Sequence, residues 1–374
     1  MHSAVRLLRE LVSIDSVNPS LVPGAAGESS VADAIAHALR RAGLDVQMQP
    51  VDGRRANVIG VLEGRAPGRS LMFCGHMDTV GVEGMTNPFD PVERGGRVYG
   101  RGAQDMKGGL AAMIDAARAI AAEGLARGRL LVAAVVDEEY ASIGADALVG
   151  AWRADAAVVT EPTDRQIAIC HKGFAWYDVE TRGRAAHGSR PREGRDAIFR
   201  MGRVLHALEH LDRRLQSQPP HPLLGAGSLH ASIIQGGREL SSYPDACSLK
   251  LERRTLPGES DETALHDLEV LLESLRQNDP EFDASARRLF SRPPYELASG
   301  HPLVQALAAA AASSEMTGMS FWTDAAVLGA AGIPSVLFGP GGAGLHSIEE
   351  YVIVDDVIAC RDALAALARA WCAH

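Results

Sequence analysis

The sequence predicts an α/β fold in which helices sandwich a mixed, largely parallel β-sheet, with a smaller α+β domain inserted into the chain. Its 374 residues exceed the length at which one hydrophobic core usually stops growing. In both terminal parts, helical periodicity alternates with short apolar runs, as expected of strands covered on both faces. This pattern changes near Lys172 and resumes after the Pro293-Pro294 pair. We therefore expect two domains, one interrupting the other.

The first part of the chain alternates helices and strands. Val31, Ile35 and Leu39 recur at helical spacing before Gly43, which predicts a helix over residues 29–42. Five strands and a second helix follow from the same analysis. The strands are expected over 46–48, 57–62, 71–74, 130–136 and 156–160, and the helix over 110–122.

The middle of the chain predicts the small α+β domain. Its expected elements are strands over 174–180, 228–234 and 246–251 and helices over 195–215 and 262–277. The α/β pattern then returns with a helix over 303–313, a strand over 335–338 and a terminal helix over 355–371. The predicted boundaries are 1–173 and 290–374 for the interrupted domain and 174–289 for the inserted one.

Charge and composition exclude several classes of protein. The net charge of −10 argues against a nucleic-acid partner, because such binding needs a local excess of Lys and Arg. No apolar segment approaches the roughly 20 residues that span a bilayer, and residues 1–11 lack the pattern of an export signal. The five cysteines have neither CxxC nor zinc-finger spacing, which indicates free thiols. We expect a cytoplasmic protein without a membrane partner.

His76 and Asp78 are the first candidates for chemistry. They follow a predicted buried strand, and residues i and i+2 of an extended chain point the same way. His76 could bind a metal ion while Asp78 accepts the other ring N–H and fixes the orientation of the imidazole. Taken alone, such a pair is more often a polar turn whose hydrogen bonds are satisfied.

A glycine-rich turn over residues 101–109 supplies the next carboxylate. It matches neither GxGxxG nor GxxxxGK[ST], and Asp105 stands where an anion would have to approach. The turn is therefore not a phosphate-binding loop. Asp105 would suit a cation instead, and its two oxygens could bridge two metal ions.

Three adjacent carboxylates, Asp137, Glu138 and Glu139, follow another predicted strand. On a surface they would form a solvated acidic turn, whereas burial would require cations to offset their repulsion. Glu161 follows the next predicted strand, and His346 lies in a loop beyond a later one. The carboxyl ends of strands in an α/β sheet are where ligands bind, which favours a binding site over a surface turn.

Together these positions predict a site for two divalent metal ions. The expected ligands all lie at or after the carboxyl ends of strands: His76, Asp105, Glu139, Glu161 and His346. A mixture of His and carboxylate suits zinc, with cobalt or manganese as alternatives. Two ions roughly 3.5–4 Å apart would turn a shared water into a hydroxide nucleophile and polarise a carbonyl. Glu138 then remains free to act as general base.

Five segments in this order resemble the signature segments of the M20 metallopeptidase family, which includes acetylornithine deacetylase, succinyl-diaminopimelate desuccinylase, aminoacylase and glutamate carboxypeptidase. The segments are GHMDTV at 75–80, RG and DMKGG within 101–109, DEE at 137–139, TEP at 160–162 and HSIEEY at 346–351. The resemblance implies a zinc-peptidase-like fold with two zinc ions. The roles it implies are His76 and Glu161 on one ion, Glu139 and His346 on the other, Asp105 bridging them, and Glu138 as base.

The same resemblance assigns residues of the inserted domain, which would then be a lid and dimerisation domain. His187 matches the lid histidine that stabilises the oxyanion, often in the partner's site of a homodimer. Arg254 matches the arginine that binds the substrate carboxylate, while its neighbour Arg253 is expected to be solvated; a one-residue slip would exchange the two. Ser241 stands where many relatives have Asn, which leaves one substrate contact open. Gly339 is a further expected substrate contact.

A histidine pair on the helix predicted over 195–215 is the main competing metal motif. His206 and His210 fit H-x-x-E-H, which would place both on one helix face. The helix belongs to the inserted domain, away from the other ligands, and polar residues are normal on a solvated helix face. We interpret the pair as solvated surface residues.

The sequence therefore predicts a dinuclear metal-dependent amidohydrolase that cleaves the amide bond of a small N-acyl amino acid. Deacetylation of an acetylornithine-like substrate is the leading hypothesis. The alternative is a dipeptidase or carboxypeptidase of the same family, whose substrate would be a dipeptide. A non-catalytic binding homologue is the third hypothesis, and the complete set of ligands and base argues against it.

Overall fold

The computed structural model describes residues 1–374, apart from the side chain of Asp261. The chain divides into two compact units. The larger unit comprises Met1–Ile169, Leu297–Thr317 and Thr323–His374, and the smaller unit comprises Cys170–Glu296 and Gly318–Trp322. The domain boundaries expected after residues 173 and 289 stay a prediction.

The helices and strands have the following bounds. The helices are α1 Ser3–Val12, α2 Ser29–Arg41, α3 Gly108–Glu123, α4 Ile143–Ala151, α5 Ala197–Gln216, α6 Asp261–Asn278, α7 Pro302–Ala311, α8 Ala325–Ala330 and α9 Val354–Cys372. The strands are β1 Asp45–Asp52, β2 Arg55–Glu63, β3 Ser70–His76, β4 Val92–Arg94, β5 Arg97–Tyr99, β6 Arg129–Val135, β7 Ala156–Val159, β8 Ile167–His171, β9 Gly173–Arg182, β10 Ser228–Gly236, β11 Ala246–Thr255, β12 Asp283–Arg292, β13 Tyr295–Glu296, β14 Met316–Met319, β15 Ser335–Leu337, β16 Gly342–Ala343 and β17 Tyr351–Ile353. An irregular helical turn, Ala103–Lys107, precedes α3.

The larger unit is built on a mixed β-sheet with the strand order β1, β2, β6, β3, β7, β15, and β8 then pairs with β15. The four strands β6, β3, β7 and β15 are parallel to one another, whereas β2 is antiparallel to both of its neighbours. This arrangement confirms the predicted α/β fold with a largely parallel sheet. It also brings the carboxyl ends of four strands to one end of the sheet.

Helices cover both faces of this sheet. The Asn57 side chain donates a hydrogen bond to the Gly144 carbonyl of α4, whereas Gly60 faces Leu39 of α2. Because successive side chains of a strand point to opposite faces, α2 and α4 lie on opposite sides of β2. Helices α3 and α9 pack on each other and on β3 and β6. Burial on both faces explains why β3, β6 and β7 are apolar along nearly their whole length.

A small antiparallel sheet in the larger unit, with the order β16, β17, β5, β4, positions two functional loops. The hairpin of β16 and β17 carries the loop over residues 344–350, which includes His346. β17 pairs with β5, and the turn that carries Asp105 follows β5. The pairing of β17 with β5 therefore brings two distant parts of the sequence together.

The smaller unit is an antiparallel sheet with the order β10, β11, β9, β12, packed against α5 and α6. Side chains of β9 alternate in burial, and Ala175, Tyr177 and Val179 belong to the core shared with the two helices. Residues that alternate with them, including Phe174 and Trp176, therefore lie on the opposite face. This is the α+β organisation that the sequence predicts.

Two further expectations concern cysteines and membranes. All five cysteines are buried free thiols, as predicted. Among the described residues, none of the helices combines the length and the apolar character that crossing a membrane requires.

Candidate metal centre

The candidate metal ligands lie where strands of the larger unit end. His76 is the last residue of β3, and Glu139 and Glu161 come shortly after β6 and β7. Asp105 lies in the turn before α3, and His346 lies in the hairpin loop between β16 and β17. Because parallel strands present their carboxyl ends at the same end of a sheet, separate chain segments meet at this point.

Asp105 lies between the two histidines and presents a different oxygen to each. Its Oδ1 is 3.0 Å from Nε2 of His76, and its Oδ2 is 3.3 Å from Nε2 of His346. On the His76 side, Oε1 of Glu161 is 3.7 Å from the same Nε2. On the His346 side, Oε2 of Glu139 is 3.1 Å from the histidine Nε2. All five predicted ligands therefore come together, in two groups that share Asp105.

Two buried oxygens show that this cluster fits a bound cation. Oε1 of Glu139 and Oε1 of Glu161 have no hydrogen-bond partner among the described residues, although each side chain is only 5% exposed. A buried carboxylate oxygen without a partner is costly unless a cation compensates it. Two imidazoles with three carboxylates form a donor set that suits zinc, cobalt or manganese. The residues present therefore fit a pair of divalent metal ions.

The pKa values of the carboxyl groups reflect their burial. Burial is the largest effect on Glu138 and Glu161 and raises the pKa of each well above its usual range, although the charge of His76 opposes it. For Glu139, burial and then the charge of Asp105 raise the pKa to about 7. Burial also acts to raise the pKa of Asp105, but hydrogen bonds with both histidines outweigh it and lower that pKa.

The pKa values of the two histidines are also raised, but by nearby carboxylates rather than by burial. Hydrogen bonds with Asp105 and Glu139 raise the pKa of His346 to about 10. Burial acts to lower the pKa of His76, but the negative charge of Glu161 and hydrogen bonds with Asp105 and Asp78 raise it well above its usual range. A metal ion binds neutral imidazole and ionised carboxylate, so it would take the place of these protons.

Asp78 holds the metal-site segments together in a way that differs from the sequence prediction. Nδ1 of His76 lies 3.0 Å from the backbone oxygen of Asp78, whereas the carboxylate Oδ1 is 3.6 Å away. The backbone oxygen therefore takes the position expected for the carboxylate. The carboxylate instead accepts hydrogen bonds from the backbone N–H groups of Glu138 and Glu139 and from the Asn18 side chain.

Asp137 belongs to a buried ion-pair network behind the site. Its Oδ1 lies 2.8 Å from Nη2 of Arg55, and the same guanidinium contacts Glu28 at 2.5 Å. The Asn18 amide donates to both Asp137 and Asp78 and so connects this network to the metal site. Sequence reasoning missed Asn18, Arg55 and Glu28, because nothing in their local sequence indicates contacts with residues so distant along the chain.

Glu350 is a second residue whose role the sequence did not reveal. One of its carboxylate oxygens accepts hydrogen bonds from the backbone N–H groups of Gln104 and Asp105. The other accepts from the Gly102 N–H and from the Arg101 guanidinium at 2.7 Å. Glu350 is thus positioned to fix the turn that carries Asp105. It lies inside the HSIEEY segment, which is the signal that could have identified it.

Glu138 lies close to the ligands of one metal position. Its Oε2 is 3.9 Å from Nε2 of His76, and its side chain is 11% exposed. An oxygen of Glu138 also forms a compact group with ligand atoms of His76 and Glu161, all within 4.8 Å of one another. Glu138 therefore lies beside the His76 and Glu161 side of the cluster, and its role as general base stays a prediction.

Gly339 fits tightly against the segment that carries Glu161. A Cβ at this position would lie 2.2 Å from the backbone oxygen of Glu161 and 2.6 Å from that of Thr160. Only glycine therefore allows the loop after β15 to approach so closely. Its contact with substrate stays a prediction.

The smaller unit brings two of its candidate residues together and keeps a third apart. His187 and Ser242 form an antiparallel bridge, and Ser241 accepts a hydrogen bond from the Gly188 N–H at 2.7 Å. His187 follows β9 and Ser241 precedes β11, so both lie beyond the end of the sheet where Arg182 pairs with Ala246. Arg254 lies eight residues beyond Ala246 along β11, and at the usual rise of a strand these two residues are about 27 Å apart. His187 and Arg254 of one chain are thus near opposite ends of this sheet.

Arg253 is buried, whereas the sequence predicted a solvated side chain at this position. Its side chain is 2% exposed and forms ion pairs with Glu259 at 2.7 Å and Asp267 at 3.3 Å. The alternation of β11 explains the difference, because Arg253 points to the same face as the buried Leu251. Arg254 points to the opposite face and is one-third exposed.

The histidine pair His206 and His210 lies on the exposed side of α5, as expected for solvated residues. Their Nε2 atoms are 3.2 Å apart. The pair belongs to the smaller unit, whereas every candidate ligand of the metal centre belongs to the larger one.

The fold and the site are those of a metal-dependent hydrolase. The chain belongs to peptidase family M20/M25/M40, whose family model matches residues 72–370. This match confirms the resemblance seen in the sequence and the prediction that the chain is an enzyme of this family.

Comparison with individual proteins agrees with this assignment. Acetylornithine deacetylase from Myxococcus xanthus is 34% identical over 330 residues, which cover 85% of this chain and 84% of the relative. A tripeptidase from Staphylococcus aureus has a similar fold, with a TM-score of 0.83 at 20% identity, covering 100% of this chain and 98% of that one. A dinuclear metal-binding peptidase of the M20 family from Bacillus subtilis gives a TM-score of 0.77 at 16% identity, covering 99% and 98%.

Proposed function

We propose that this chain is a two-metal amidohydrolase that removes the acyl group from an N-acyl amino acid, with deacetylation of an acetylornithine-like substrate as the leading reaction. The observation that carries the proposal is the position of Asp105, whose two oxygens face two separate His and Glu pairs. The similarity to a deacetylase over most of the chain supports the reaction class.

The proposed roles follow from the contacts of each side chain. His76 and Glu161 would hold one ion, Glu139 and His346 the other, and Asp105 both. When bound, two divalent ions, zinc in this proposal, would activate a water and polarise the substrate carbonyl. Glu138 would take the proton of the attacking water at its carboxylate and donate it to the leaving nitrogen. Burial raises the pKa of Glu138 well above its usual range, which favours uptake of a proton by this carboxylate.

Arg254 is the proposed anchor for the substrate carboxylate. Its Nε donates to Glu252 at 2.6 Å, and its guanidinium lies 5.6 Å from the centre of the Phe174 ring. Within the described part of the chain, its terminal nitrogens have no hydrogen-bond partner. Arg253, by contrast, uses its terminal nitrogens in two ion pairs. Arg254 therefore has the edge that can bind a carboxylate with two parallel hydrogen bonds.

We further propose that the chain acts as a homodimer through the smaller unit. One small substrate cannot contact both His187 and Arg254 of the same chain, because the two residues lie near opposite ends of the sheet. The oxyanion role proposed for His187 therefore requires the partner subunit's His187. The edge strand β10 offers a surface for association, with Ile233 and Ile234 each about half exposed.

A substrate panel tests the proposed reaction. Purified protein reconstituted with zinc is assayed with N-acetyl, N-succinyl and N-carbamoyl amino acids and with dipeptides. We expect the highest kcat/KM on an N-acetyl amino acid, with loss of activity after chelation and recovery when zinc is added back. A preference for dipeptides would favour the peptidase alternative. No turnover of any member by the reconstituted protein would contradict the proposal.

The role of Glu138 is tested by Glu138→Gln with Glu63→Gln, an exposed glutamate of β2, as the matched control. Loss of the general base should lower kcat about 10²- to 10⁴-fold while metal content and fold remain unchanged. Metal analysis of both variants separates loss of the base from loss of an ion. A normal kcat in Glu138→Gln would remove Glu138 from this role.

A further inference from the structure

One face of the sheet in the smaller unit carries several cations: Lys172 and Arg254 on one side of Phe174, and Arg292 opposite Phe174 on β12. In the register of β9 and β11, Phe174 lies opposite Arg254 and Trp176 lies opposite Glu252. These four side chains share the face that is turned away from α5 and α6. Lys172 precedes β9 and continues the same alternation, which makes it a diagonal neighbour of Arg254. Diagonal neighbours across a strand pair are about 7–8 Å apart, within reach of long side chains.

Around Lys172 and Arg254, positively charged side chains outnumber negatively charged ones. Glu252 is the nearby carboxylate, and both of its oxygens are in use: Oε1 accepts from Arg254 at 2.6 Å and Oε2 from the Trp176 indole N–H at 2.8 Å. The ammonium group of Lys172 donates to the backbone oxygen of Ala226 at 2.6 Å, an uncharged acceptor. Burial and then the positive charge of Arg254 lower the pKa of Lys172, which agrees with their proximity.

Lys172 differs in its side-chain chemistry from the arginines that supply most of the positive charge of this chain. The sequence contains three lysines, Lys107, Lys172 and Lys250, against 34 arginines. A lysine ammonium is a compact charge with three N–H donors, whereas arginine presents a planar fork. One donor of Lys172 is used by Ala226, so two remain for an anion. The planar fork of Arg254 and the compact charge of Lys172 could then bind one carboxylate from different directions.

We propose that Lys172 and Arg254 bind the same carboxylate of the substrate, which makes the anchor a two-cation site. This inference rests on the proposed function, because that function supplies the carboxylate. Trp176 and Glu252 would act as positioning residues, since they hold the Nε side of the guanidinium and leave its terminal nitrogens for the ligand. The site would select amino-acid derivatives with a free carboxylate over the corresponding carboxamides.

The test compares an N-acetyl amino acid with its uncharged α-carboxamide analogue in the wild-type protein and in Lys172→Met. We expect the KM for the acid to rise about 10- to 100-fold, the effect of losing a hydrogen bond to a charged group, with kcat nearly unchanged. The kinetic constants for the carboxamide should change less than about two-fold. Lys250→Met is the matched control, because Lys250 is exposed on the same face of β11 and should change neither substrate.

Further measurements separate binding from folding and from the proposed function. Lys172→Gln removes the charge but keeps an N–H donor, and it should lose the preference for the acid as Lys172→Met does. Thermal unfolding of both variants checks the fold. An unchanged preference for the acid in folded variants, or an equal loss on both substrates, would overturn the inference. Failure of the wild type to hydrolyse either substrate would instead refute the proposed function, and calorimetric binding of the two compounds would still measure the acid preference.

Discussion

Asp78 illustrates how one buried carboxylate can organise a metal site without binding a metal. Its backbone oxygen orients His76, and its side chain accepts hydrogen bonds from Asn18 and from two consecutive backbone N–H groups. Burial acts to raise the pKa of Asp78, but hydrogen bonding and the charge of His76 lower it, so the group stays ionised. A fixed negative charge at this position holds Glu138 and Glu139 in place through their backbone.

His171 gives a prediction about pH that does not depend on the metal centre. Burial lowers the pKa of His171 to about 4, because its ring is enclosed near Tyr295 and Trp322. Between about pH 6.5 and pH 4, the unfolded chain therefore binds a proton that the folded chain does not. Above pH 6.5 the residue is neutral in both states and contributes no pH dependence. Acidification through this range should lower the free energy of unfolding by about 3 kcal/mol through His171 alone.

The measurement compares the free energy of unfolding in urea at pH 7 and pH 4.5 for the wild type and His171→Phe. The variant loses the hydrogen bond from Nδ1 to the Lys172 carbonyl, but this cost is the same at both pH values. We expect a smaller loss of stability on acidification in His171→Phe. His266→Phe, at an exposed position of α6, should keep the wild-type pH dependence. Equal pH dependence in wild type and His171→Phe would show that His171 is not held neutral.

At the scale of elements, segments with a clear apolar or periodic pattern were predictable, including the short strand β15, whereas β12, with charged residues along its length, and several short elements were not. The buried strands β3, β6 and β7 and the helices α2 and α3 were found, because burial on both faces or on one stripe leaves a pattern in the local sequence. Helix α4 was missed because it is short, and β4, β5, β16 and β17 were missed because two or three residues carry no periodicity. These short strands exist through pairing between distant segments.

The same distinction applies to the candidate site. The five predicted ligands could be located because each follows a recognisable strand or lies in a glycine-rich turn. Asn18, Arg55 and Glu350 could not be located by position, because their contacts join residues 27 to 249 positions apart. Arg253 and Arg254 could not be distinguished until the register of β11 assigned them to opposite faces.

The turn over Ala103–Lys107 gives a prediction at the scale of elements. Glu350→Gln replaces one carboxylate oxygen by an amide that donates, so it can no longer accept from every N–H group of the turn. Asp105 should then be positioned less precisely, and metal affinity should fall about 10- to 100-fold, as for other outer contacts of metal ligands. Competition against a chelator measures this affinity. Glu349→Gln, at the exposed neighbouring position, is the control, and equal affinities in both variants would rule out this role for Glu350.

At the scale of the whole molecule, the distribution of proposed roles over two units suggests why one chain would be insufficient. The proposed metal ligands and Glu138 belong to the larger unit, and Arg254, the proposed substrate anchor, and His187 belong to the smaller one. Within the smaller unit, β11 separates Arg254 from His187 by more than the length of a small substrate. A symmetric dimer would solve this problem, since each site could combine the Arg254 of its own chain with the partner subunit's His187.

Complementation between two inactive variants tests this arrangement. His187→Ala and Arg254→Ala should each lose most activity, because every site in either homodimer lacks one of the two groups. After unfolding and refolding together, half of the dimers should be mixed, and each mixed dimer should contain one complete site. The expected activity is about one quarter of the wild-type value. Ile233→Glu introduced into both variants should prevent association at β10 and abolish the recovery, whereas Val92→Glu, at an equally exposed position of the larger unit, should not. Absence of recovery in a mixture that light scattering shows to be dimeric would mean that each site is completed within one chain.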